Sequence, residues 1–357
     1  MERLVLLEDM KTLPPKRGAL IGCGFFAVNQ LNAWRDLAAR GGPGIVTLCD
    51  RDPARLAGAA KRFGIPRTYA DAAEMLERED LDFVDICTTA PSHRALVELA
   101  ATRGLPVICQ KPLAPTLEEA KRIVEACETA GVPLMVHENF RWQSPIRAVR
   151  AVIDSGAVGE VFWGRISFRS AFDVFSGQPY LAEGERFILE DLGVHALDVA
   201  RFLLGDVKRL SATTKRVNPA IKGEDVATAL MEHENGATGI MDCSYATRLE
   251  EELFPQTLVE IDGSKGSIRL GAGYRMTVVS ESGTEHRDVS PPLLPWAERP
   301  WHNVQESVLA IQEHWGAVLA GETAPETSGH DNLRTLALVE ACYRSAASGQ
   351  PIDPASL

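Results

Sequence analysis

Two segments far apart in the chain carry side chains suited to proton transfer. Lys111 directly follows the apolar run 107–109, which is typical of a buried parallel strand. Asp191 and His195 are four residues apart, so a helix would place them on one face. An imidazole oriented by a carboxylate is a general base that accepts a hydroxyl proton near neutral pH. Taken alone, this spacing is more typical of a helix start with one core histidine, and only other motifs in the chain favour catalysis.

One such motif is a glycine turn near the start of the chain. An apolar run enters the pattern G-x-G-x-x-A at Gly22, Gly24 and Ala27. Gly22 allows the tight turn, Gly24 lets the backbone approach a pyrophosphate, and Ala27 permits close packing of a helix on a strand. The anion would lie at the helix N-terminus. The pattern also fits an ordinary strand-to-helix turn, but its place at the start of a βαβ-sized unit favours dinucleotide binding.

An acidic residue after the next apolar run supports that interpretation. Asp50 follows the run 45–49, where a carboxylate binds the ribose hydroxyls of adenosine and repels a 2′-phosphate. This predicts NAD as the cofactor. Arg51 would stack on adenine or pair with a phosphate, so use of NADP stays open. The distance from Gly22 exceeds the usual ~20 residues, which Pro43 and its neighbouring glycines explain as a longer loop.

Length, charge and cysteine content narrow the class of protein. The 357 residues exceed the length at which a single core stops growing, so two domains are expected. The net charge of −12, without any basic run, argues against nucleic acid or a membrane as partner. The segment 1–17 is an N-terminal lead-in without signal-peptide organisation. Seven scattered cysteines indicate buried thiols in a reducing cytoplasm, and no ligand spacing indicates a metal.

Strand-like and helix-like segments alternate over residues 18–138. The apolar runs are 19–21, 45–49, 83–87, 106–109 and 133–136, and the amphipathic segments are 28–40, 53–63, 93–103 and 117–130. Near-continuous hydrophobicity suits parallel strands that are buried on both faces. Thr116 and Glu119 form a capping box at the start of the last helix. The fold class is therefore α/β, with an N-terminal Rossmann doubly wound parallel sheet.

Residues 139–357 have a different pattern and predict an α+β domain. Alternating runs occur at 160–172, 210–217, 225–232, 237–245, 258–262, 267–270 and 276–280, and helical segments at 145–155, 194–204, 304–319 and 332–347. Asn235-Gly236 is a hairpin signal between two of the runs. We expect a large open, mainly antiparallel sheet in which the last three helices cover one face. The C-terminal helix 332–347 is expected to pack back toward the Rossmann domain.

Together these motifs resemble the Gfo/Idh/MocA family of NAD(P)-dependent sugar oxidoreductases. The likeness extends from about residue 16 to the C-terminus. Its marks are the glycine turn, Cys49-Asp50-Arg51, the segment 88–93, Lys111-Pro112, the Asp191, His195 and Asp198 motif, and the closing segment 343–349. Phe25-Phe26 with the segment 30–34 is similar to members that oxidise a branched pentose to its lactone.

The resemblance implies a catalytic triad of Lys111, Asp191 and His195. His195 would accept the proton of the substrate hydroxyl, and Lys111 would hydrogen bond to the reacting oxygen. Asp191 would orient the imidazole or bind an adjacent hydroxyl. The Lys111–Pro112 peptide is expected to be cis. Gln110 departs from the family's usual glutamate and removes a negative charge beside the ammonium of Lys111.

Further residues are expected at the two ligand sites. The predicted cofactor-binding residues are Gly22, Gly24, Phe25, Phe26, Ala27, Asp50, Arg51, Thr88, Thr89, Pro91, His93, Gln110 and Lys111. Asn139, Arg141 and Tyr180 are candidate substrate residues. A solvated interdomain loop explains Asn139 and Arg141 equally well, and ordinary loop packing is the alternative for Tyr180.

The predicted function is transfer of hydride from a CH–OH carbon of a cyclic sugar or polyol to NAD+. The first alternative is an NAD-dependent glycoside hydrolase of the same family. The second is a non-catalytic NAD-sensing protein, which the intact set of Lys111, Asp191 and His195 disfavours.

The run 160–172 bears on assembly. Its Phe162, Ile166, Phe168 and Phe172 are expected on the covered face of the sheet, and Trp163, Arg165, Ser167 and Arg169 on the open face. An exposed face that carries Trp163 is a poor surface to leave in water. With the resemblance, this predicts a homodimer or homotetramer through the sheet. The alternative is a monomer whose arginines solvate that face.

Overall fold

A computed structural model describes residues 15–357, and the first part of these forms a six-stranded parallel sheet. Its strands are β1 (Arg17–Ile21), β2 (Gly44–Cys49), β3 (Arg67–Tyr69), β4 (Phe83–Ile86), β5 (Val107–Gln110) and β6 (Leu134–His137), and its helices are α1 (Ala27–Ala39), α2 (Pro53–Phe63), α3 (Ala72–Arg78), α4 (Ala90–Thr102) and α5 (Leu117–Ala130). The strand order is β3-β2-β1-β4-β5-β6. This order reverses between β1 and β4, which is where such sheets bind ligands.

The second part carries an eight-stranded sheet. Its elements are α6 (Ser144–Asp154), β7 (Val161–Arg169), α7 (Val194–Leu204), β8 (Val207–Lys215), β9 (Val226–His233), β10 (Thr238–Ser244), β11 (Leu258–Gly263), β12 (Gly266–Gly271), β13 (Arg275–Ser280), β14 (Gly283–Asp288), α8 (His302–Leu319) and α9 (Gly329–Ser348). The strand order is β14-β13-β12-β11-β7-β10-β9-β8. Among the described strands of this second sheet, only β7 and β10 pair in parallel. The predicted fold class is therefore confirmed.

Two strands and one helix were not predicted from the sequence, because they bury few residues or none. β3 has three residues, of which two are exposed, and β14 is exposed at all six positions. The seven-residue helix α3 buries only Met75 and Leu76. Short edge strands and short helices with so few apolar positions give no readable periodicity.

The prediction that the helix at 304–319 covers the second sheet is wrong. α8 packs on α1 and on the Rossmann sheet instead. Val308 and Trp315 of α8 share a buried cluster with Trp34 and Phe83. An amphipathic pattern shows which face of a helix is apolar, but not which sheet that face meets.

Helices α7 and α9 pack on the second sheet, and α9 also packs on α5 of the first domain. The two domains are joined again where Val136 N donates to Thr327 O at 2.8 Å. Among residues 15–357, no helix has the length and apolar character needed to cross a bilayer.

The predicted faces of β7 are correct in the middle of the strand and wrong at its ends. Ile166 and Phe168 are buried. Phe162 is 56% exposed, because α7 ends at Leu204, which lies over Gly164 and leaves the strand's first residues uncovered. Phe172 lies outside the strand and stacks on Phe254, with ring centroids 4.0 Å apart.

Candidate active site

The glycine turn after β1 leaves room for a ligand backbone. Gly22 has φ +99°, and a Cβ there would lie 2.6 Å from the carbonyl oxygen of Cys87. A larger residue is therefore excluded by both conformation and contact. A Cβ at Gly24 would have no described atom within 4 Å, so this side of the turn is open. Ala27 is buried at the start of α1, and the first N–H groups of a helix have no partner within the helix, so they are suited to binding an anion.

The carboxylate of Asp50 lies beside this turn. Its Oδ2 accepts a hydrogen bond from Cys23 N at 2.6 Å, and its Oδ1 accepts one from Asp52 N at 2.8 Å. Each oxygen keeps a second lone pair for a hydroxyl group. Arg51 is exposed next to it. The site therefore fits a ribose with two free hydroxyls, and binding of NAD by these side chains stays a prediction.

His93 does not contact the cofactor site, and this prediction is wrong. Its side chain is fully buried. Nδ1 faces the carbonyl oxygens of Pro112 and Leu113 at 3.1 and 3.2 Å, and Nε2 faces that of Thr88 at 3.1 Å. His93 therefore fastens the segment after Lys111 to the loop after β4.

Other residues predicted to bind the cofactor lie in the segments that follow β1 and β4, and their contact with a cofactor stays a prediction. Thr89 and Pro91 are exposed at the start of α4, where free N–H groups are available to a ligand. Thr88 Oγ1 accepts a hydrogen bond from Ser92 Oγ at 2.8 Å. Phe26 lies edge-on to His137, with ring centroids 6.2 Å apart.

Lys111 lies at the end of β5 and reaches into the second domain. Its Nζ donates to the carbonyl oxygen of Asp191 at 2.6 Å and lies 3.4 Å from Asp191 Oδ1. Lys111 N donates to Gln110 Oε1 at 2.8 Å, while Gln110 Nε2 is buried with no partner among the described residues. The Lys111–Pro112 peptide is cis, as the resemblance implied. Lys111 therefore joins the Rossmann sheet directly to the motif that carries Asp191.

Asp191 is not on the same regular helix as His195. The residues Leu189–Gly193 form a π-helical turn before α7, in which Val194 N donates to Leu189 O. Such turns are frequent at functional sites. The buried carboxylate of Glu224 supports this turn by accepting hydrogen bonds from Leu189 N at 3.2 Å and from the hydroxyl of Tyr343 at 2.7 Å.

His195 is oriented by Glu138 and not by Asp191, so that part of the prediction is wrong. His195 lies in the first turn of α7, where it is 5% exposed. Its Nδ1 is hydrogen bonded to Oε1 of Glu138, which directly follows β6. The ring of Phe140 stacks on the imidazole at 3.9 Å between centroids. Asp191 pairs with Lys111 instead, which leaves its other expected role, binding a substrate hydroxyl.

Glu138 was not predicted as a site residue, although its place in the sequence gives one signal. Glu138 follows a strand at the carboxyl edge of the parallel sheet, where ligands bind. Burial raises the pKa of Glu138 to about 7 against the charges of Lys111 and Arg141. Burial and then the charge of Lys111 hold the pKa of His195 well below its usual value. The imidazole is therefore neutral near pH 7, the form in which it accepts a proton.

Asn139 and Arg141 do not line a substrate site, because both side chains are buried between the domains. Arg141 Nε donates to Asp198 Oδ2 at 2.7 Å, and its Nη2 donates to Asp331 Oδ2 at 2.8 Å. Asn139 Nδ2 donates to Ser307 Oγ at 2.7 Å. Both residues hold the elements around the site.

Tyr180 and an aromatic cluster lie nearer to solvent. Tyr180 is 65% exposed, and its hydroxyl donates to Gln178 Oε1 at 2.7 Å. Phe25 of the glycine turn lies edge-on to Trp301, with centroids 6.4 Å apart. Trp301 contacts Phe254 in the same way at 4.9 Å. Aromatic side chains of the second domain thus reach the glycine turn.

Known proteins share both halves of this structure. Residues 16–138 match the model described as the oxidoreductase family's NAD-binding Rossmann fold, and residues 146–269 match the GFO/IDH/MocA C-terminal domain. D-Apiose dehydrogenases of Rhizobium rhizogenes and Paraburkholderia graminis are 63% and 61% identical to the chain, over 94% and 99% of its length and 97% and 93% of theirs.

A solved structure agrees closely. It is an oxidoreductase from Agrobacterium radiobacter in complex with NAD+, L-tartaric acid and magnesium, which is 62% identical and has a TM-score of 0.94. The match covers 96% of this chain and 99% of that one. Both the resemblance and the predicted NAD-binding domain are thereby confirmed. The chain belongs to the Gfo/Idh/MocA family of oxidoreductases with an NAD-binding Rossmann domain.

Proposed function

We propose that this protein oxidises D-apiose, or a closely similar cyclic aldose, to its lactone with NAD+. The observation that carries the chemistry is the neutral imidazole of His195 at the carboxyl edge of the Rossmann sheet, beside the Lys111–Asp191 pair. The substrate class rests on two relatives named as D-apiose dehydrogenases, which match over nearly the whole chain.

The reaction removes a hydride and a proton from one CH–OH group. NAD+, when bound, takes the hydride. His195 takes the hydroxyl proton at Nε2, because Nδ1 is already bonded to Glu138. Lys111 donates to the same oxygen and favours its alkoxide character. Asp191 holds the ammonium of Lys111 and accepts a hydrogen bond from a neighbouring hydroxyl of the sugar.

The experiment is a substrate screen of the purified protein with NAD+, followed by NADH absorbance. D-Apiose should give a higher kcat/KM than other aldoses, inositols or aldonates. A higher kcat/KM with an inositol would make the protein a polyol dehydrogenase. Cleavage of a glycoside with bound NAD and no net NADH would instead identify the hydrolase.

The protein is expected to prefer NAD+ to NADP+. Wild type should have a higher kcat/KM with NAD+ than with NADP+, because the carboxylate of Asp50 repels a 2′-phosphate. Asp50→Ala should lower kcat/KM for NAD+ and erode the preference. Asp52→Ala is the matched control, because Asp52 caps α2 through Ala54 N at 2.9 Å. A wild type that prefers NADP+ would contradict the assignment.

We further propose that two chains pair through the open face of the second sheet. Leu230 is 54% exposed on this face. It pairs with Ile240 on the neighbouring strand β10, and Ile240 pairs in turn with Arg165 on β7. Arg165 and Arg169 donate to Asp242 at 2.7 and 2.8 Å. Because the guanidinium groups are paired within the sheet, they solvate the face poorly, which favours a dimer over a monomer.

Light scattering checks this assembly. Wild type should have at least twice the chain mass of 38.8 kDa. Trp163→Glu should dissociate it, because the charge would be buried against the partner, whereas Trp163→Phe should not. Wild type at the mass of one chain, at micromolar concentration, would refute the proposal.

The protein is also proposed to act in the cytoplasm. All seven cysteines lie in the described residues as buried free thiols. Free thiols are typical of a reducing compartment.

A further inference from the structure

Glu138 is an acid in an unusual position. Its side chain is fully buried, Oε1 is bonded to His195 Nδ1, and Oε2 has no partner among residues 15–357. Burying a carboxylate that is not fully satisfied is costly. An acid of this kind that contacts a side chain of the active site is a candidate for a functional role.

The surroundings allow the imidazole one orientation. The ring of Phe140 covers one face of His195, with an interplanar angle of 6°. Glu138 N donates to Val136 O at 2.7 Å, which fixes the backbone that carries the carboxylate. With Nδ1 directed at Glu138, Nε2 is the nitrogen available to a substrate.

We propose that Glu138 is the positioning residue for His195 in the oxidation. As a carboxylate it accepts a hydrogen bond from Nδ1–H, which selects the tautomer with a free lone pair on Nε2. When the O–H bond of the substrate breaks, its proton forms a new bond to Nε2, and the electron pair of the C–H bond leaves as hydride to NAD+. The positive charge on the imidazolium then lies against Glu138, which stabilises it. The proposal rests on His195 being the base.

Charged groups on five neighbouring segments act on this pair. They are Lys111 after β5, Arg141 after β6, Asp191 in the π-helical turn, Asp198 in α7 and Asp331 in α9. His137 is a neutral neighbour, since burial lowers its pKa to about 4. Lys111 and Arg141 favour the ionised form of Glu138, and Asp331 opposes it. Asp191 and Asp198 favour the charged form of His195. Burial raises the pKa of Glu138, and because its carboxyl group contacts the imidazole, the two groups titrate as a coupled pair.

Glu138→Gln tests the proposal because it removes the charge and keeps the shape. We expect kcat to fall roughly 10- to 100-fold, the worth of a hydrogen bond to a charged group. The KM for the sugar and the affinity for NAD+ should stay within about twofold, because the lost interaction strengthens only as the proton is transferred. The acidic limb of kcat/KM should move to lower pH by roughly one unit, since the carboxylate no longer favours protonation of the pair.

Glu306→Gln is the matched control. Glu306 is also an acid whose pKa burial raises to about 7, but it accepts a hydrogen bond from Ser144 N at 3.3 Å. This variant should keep the kcat and the acidic limb of wild type. If both variants lose kcat equally, or if the limb does not move in Glu138→Gln, Glu138 is merely structural and the proposal fails.

A second measurement needs no variant of Glu138. Nitrogen NMR of histidine-labelled wild type at pH 8 should show His195 with a proton on Nδ1 and none on Nε2, and the reverse tautomer would overturn the proposal. The role of His195 as the base and the role of Glu138 are tested separately. An active His195→Ala would refute the base itself, whereas an inactive His195→Ala with a normal Glu138→Gln would refute only the role of Glu138.

Discussion

Replacing His195 by alanine should lower kcat by roughly 10²- to 10⁴-fold, the usual contribution of a general acid–base group. The imidazole is buried, neutral and held at Nδ1 by Glu138, so no solvent group takes its place. NAD+ affinity should stay near that of wild type. His330→Ala is the matched control, because His330 is paired with Glu128 on the surface.

Steady-state rates and a titration of NADH fluorescence separate the two effects. Normal turnover in a folded His195→Ala variant would show that another group takes the proton. Lys111→Ala should also abolish turnover, because the ammonium is the donor to the reacting oxygen. If the Lys111→Ala variant instead binds NAD+ more weakly, while the enzyme that has NAD+ bound still oxidises the sugar, Lys111 is chiefly a cofactor ligand.

The ends of helices in the first domain were predictable where a capping residue or a glycine fixes them. α2 begins after Asp52, which caps Ala54 N at 2.9 Å, and ends at Gly64 with φ +68°. α5 likewise lies between Thr116 and Gly131. These signals act within a few residues of each helix end and need no tertiary contact. α8 has no comparable signal for its partner, and the sequence analysis therefore assigned it to the wrong sheet.

The residue types of the site were predictable, but their pairing was not. Lys111 and Asp191 meet across the two domains, and so do Glu138 and His195. A spacing of four residues suggested an Asp191–His195 pair, yet the π-helical turn before α7 intervenes. Whether a carboxylate meets Lys111 or His195 depends on how the domains pack, and no local sequence pattern records that.

Two further residues that were predicted to bind ligands are buried in the structure. His93 and Arg141 have the polar groups that a ligand site needs, and both lie close in sequence to the site. In the structure these groups are used internally, by backbone carbonyls around His93 and by carboxylates around Arg141. A side chain that bonds fully within the protein has no group left for a ligand.

Arg141→Met should therefore reduce the free energy of unfolding by about 3–5 kcal/mol, the usual cost of removing one partner of a buried ion pair. Asp198 is fully buried, and burial already raises its pKa against the opposing charge of Arg141. Without the guanidinium, the buried carboxylate has no cation in contact, and its ionised form becomes costly in the folded state. Urea unfolding at pH 7 measures the loss.

The pH dependence of this variant distinguishes an ion pair from a substrate contact. An acid whose pKa is raised in the folded state weakens folding above its unfolded value of ~4, and protonation removes that penalty as pH falls. The deficit of Arg141→Met should thus shrink from pH 8 to pH 5. The double variant with Asp198→Asn should recover part of the stability, since no buried charge remains. A stable Arg141→Met variant with a raised sugar KM would instead return Arg141 to the substrate site.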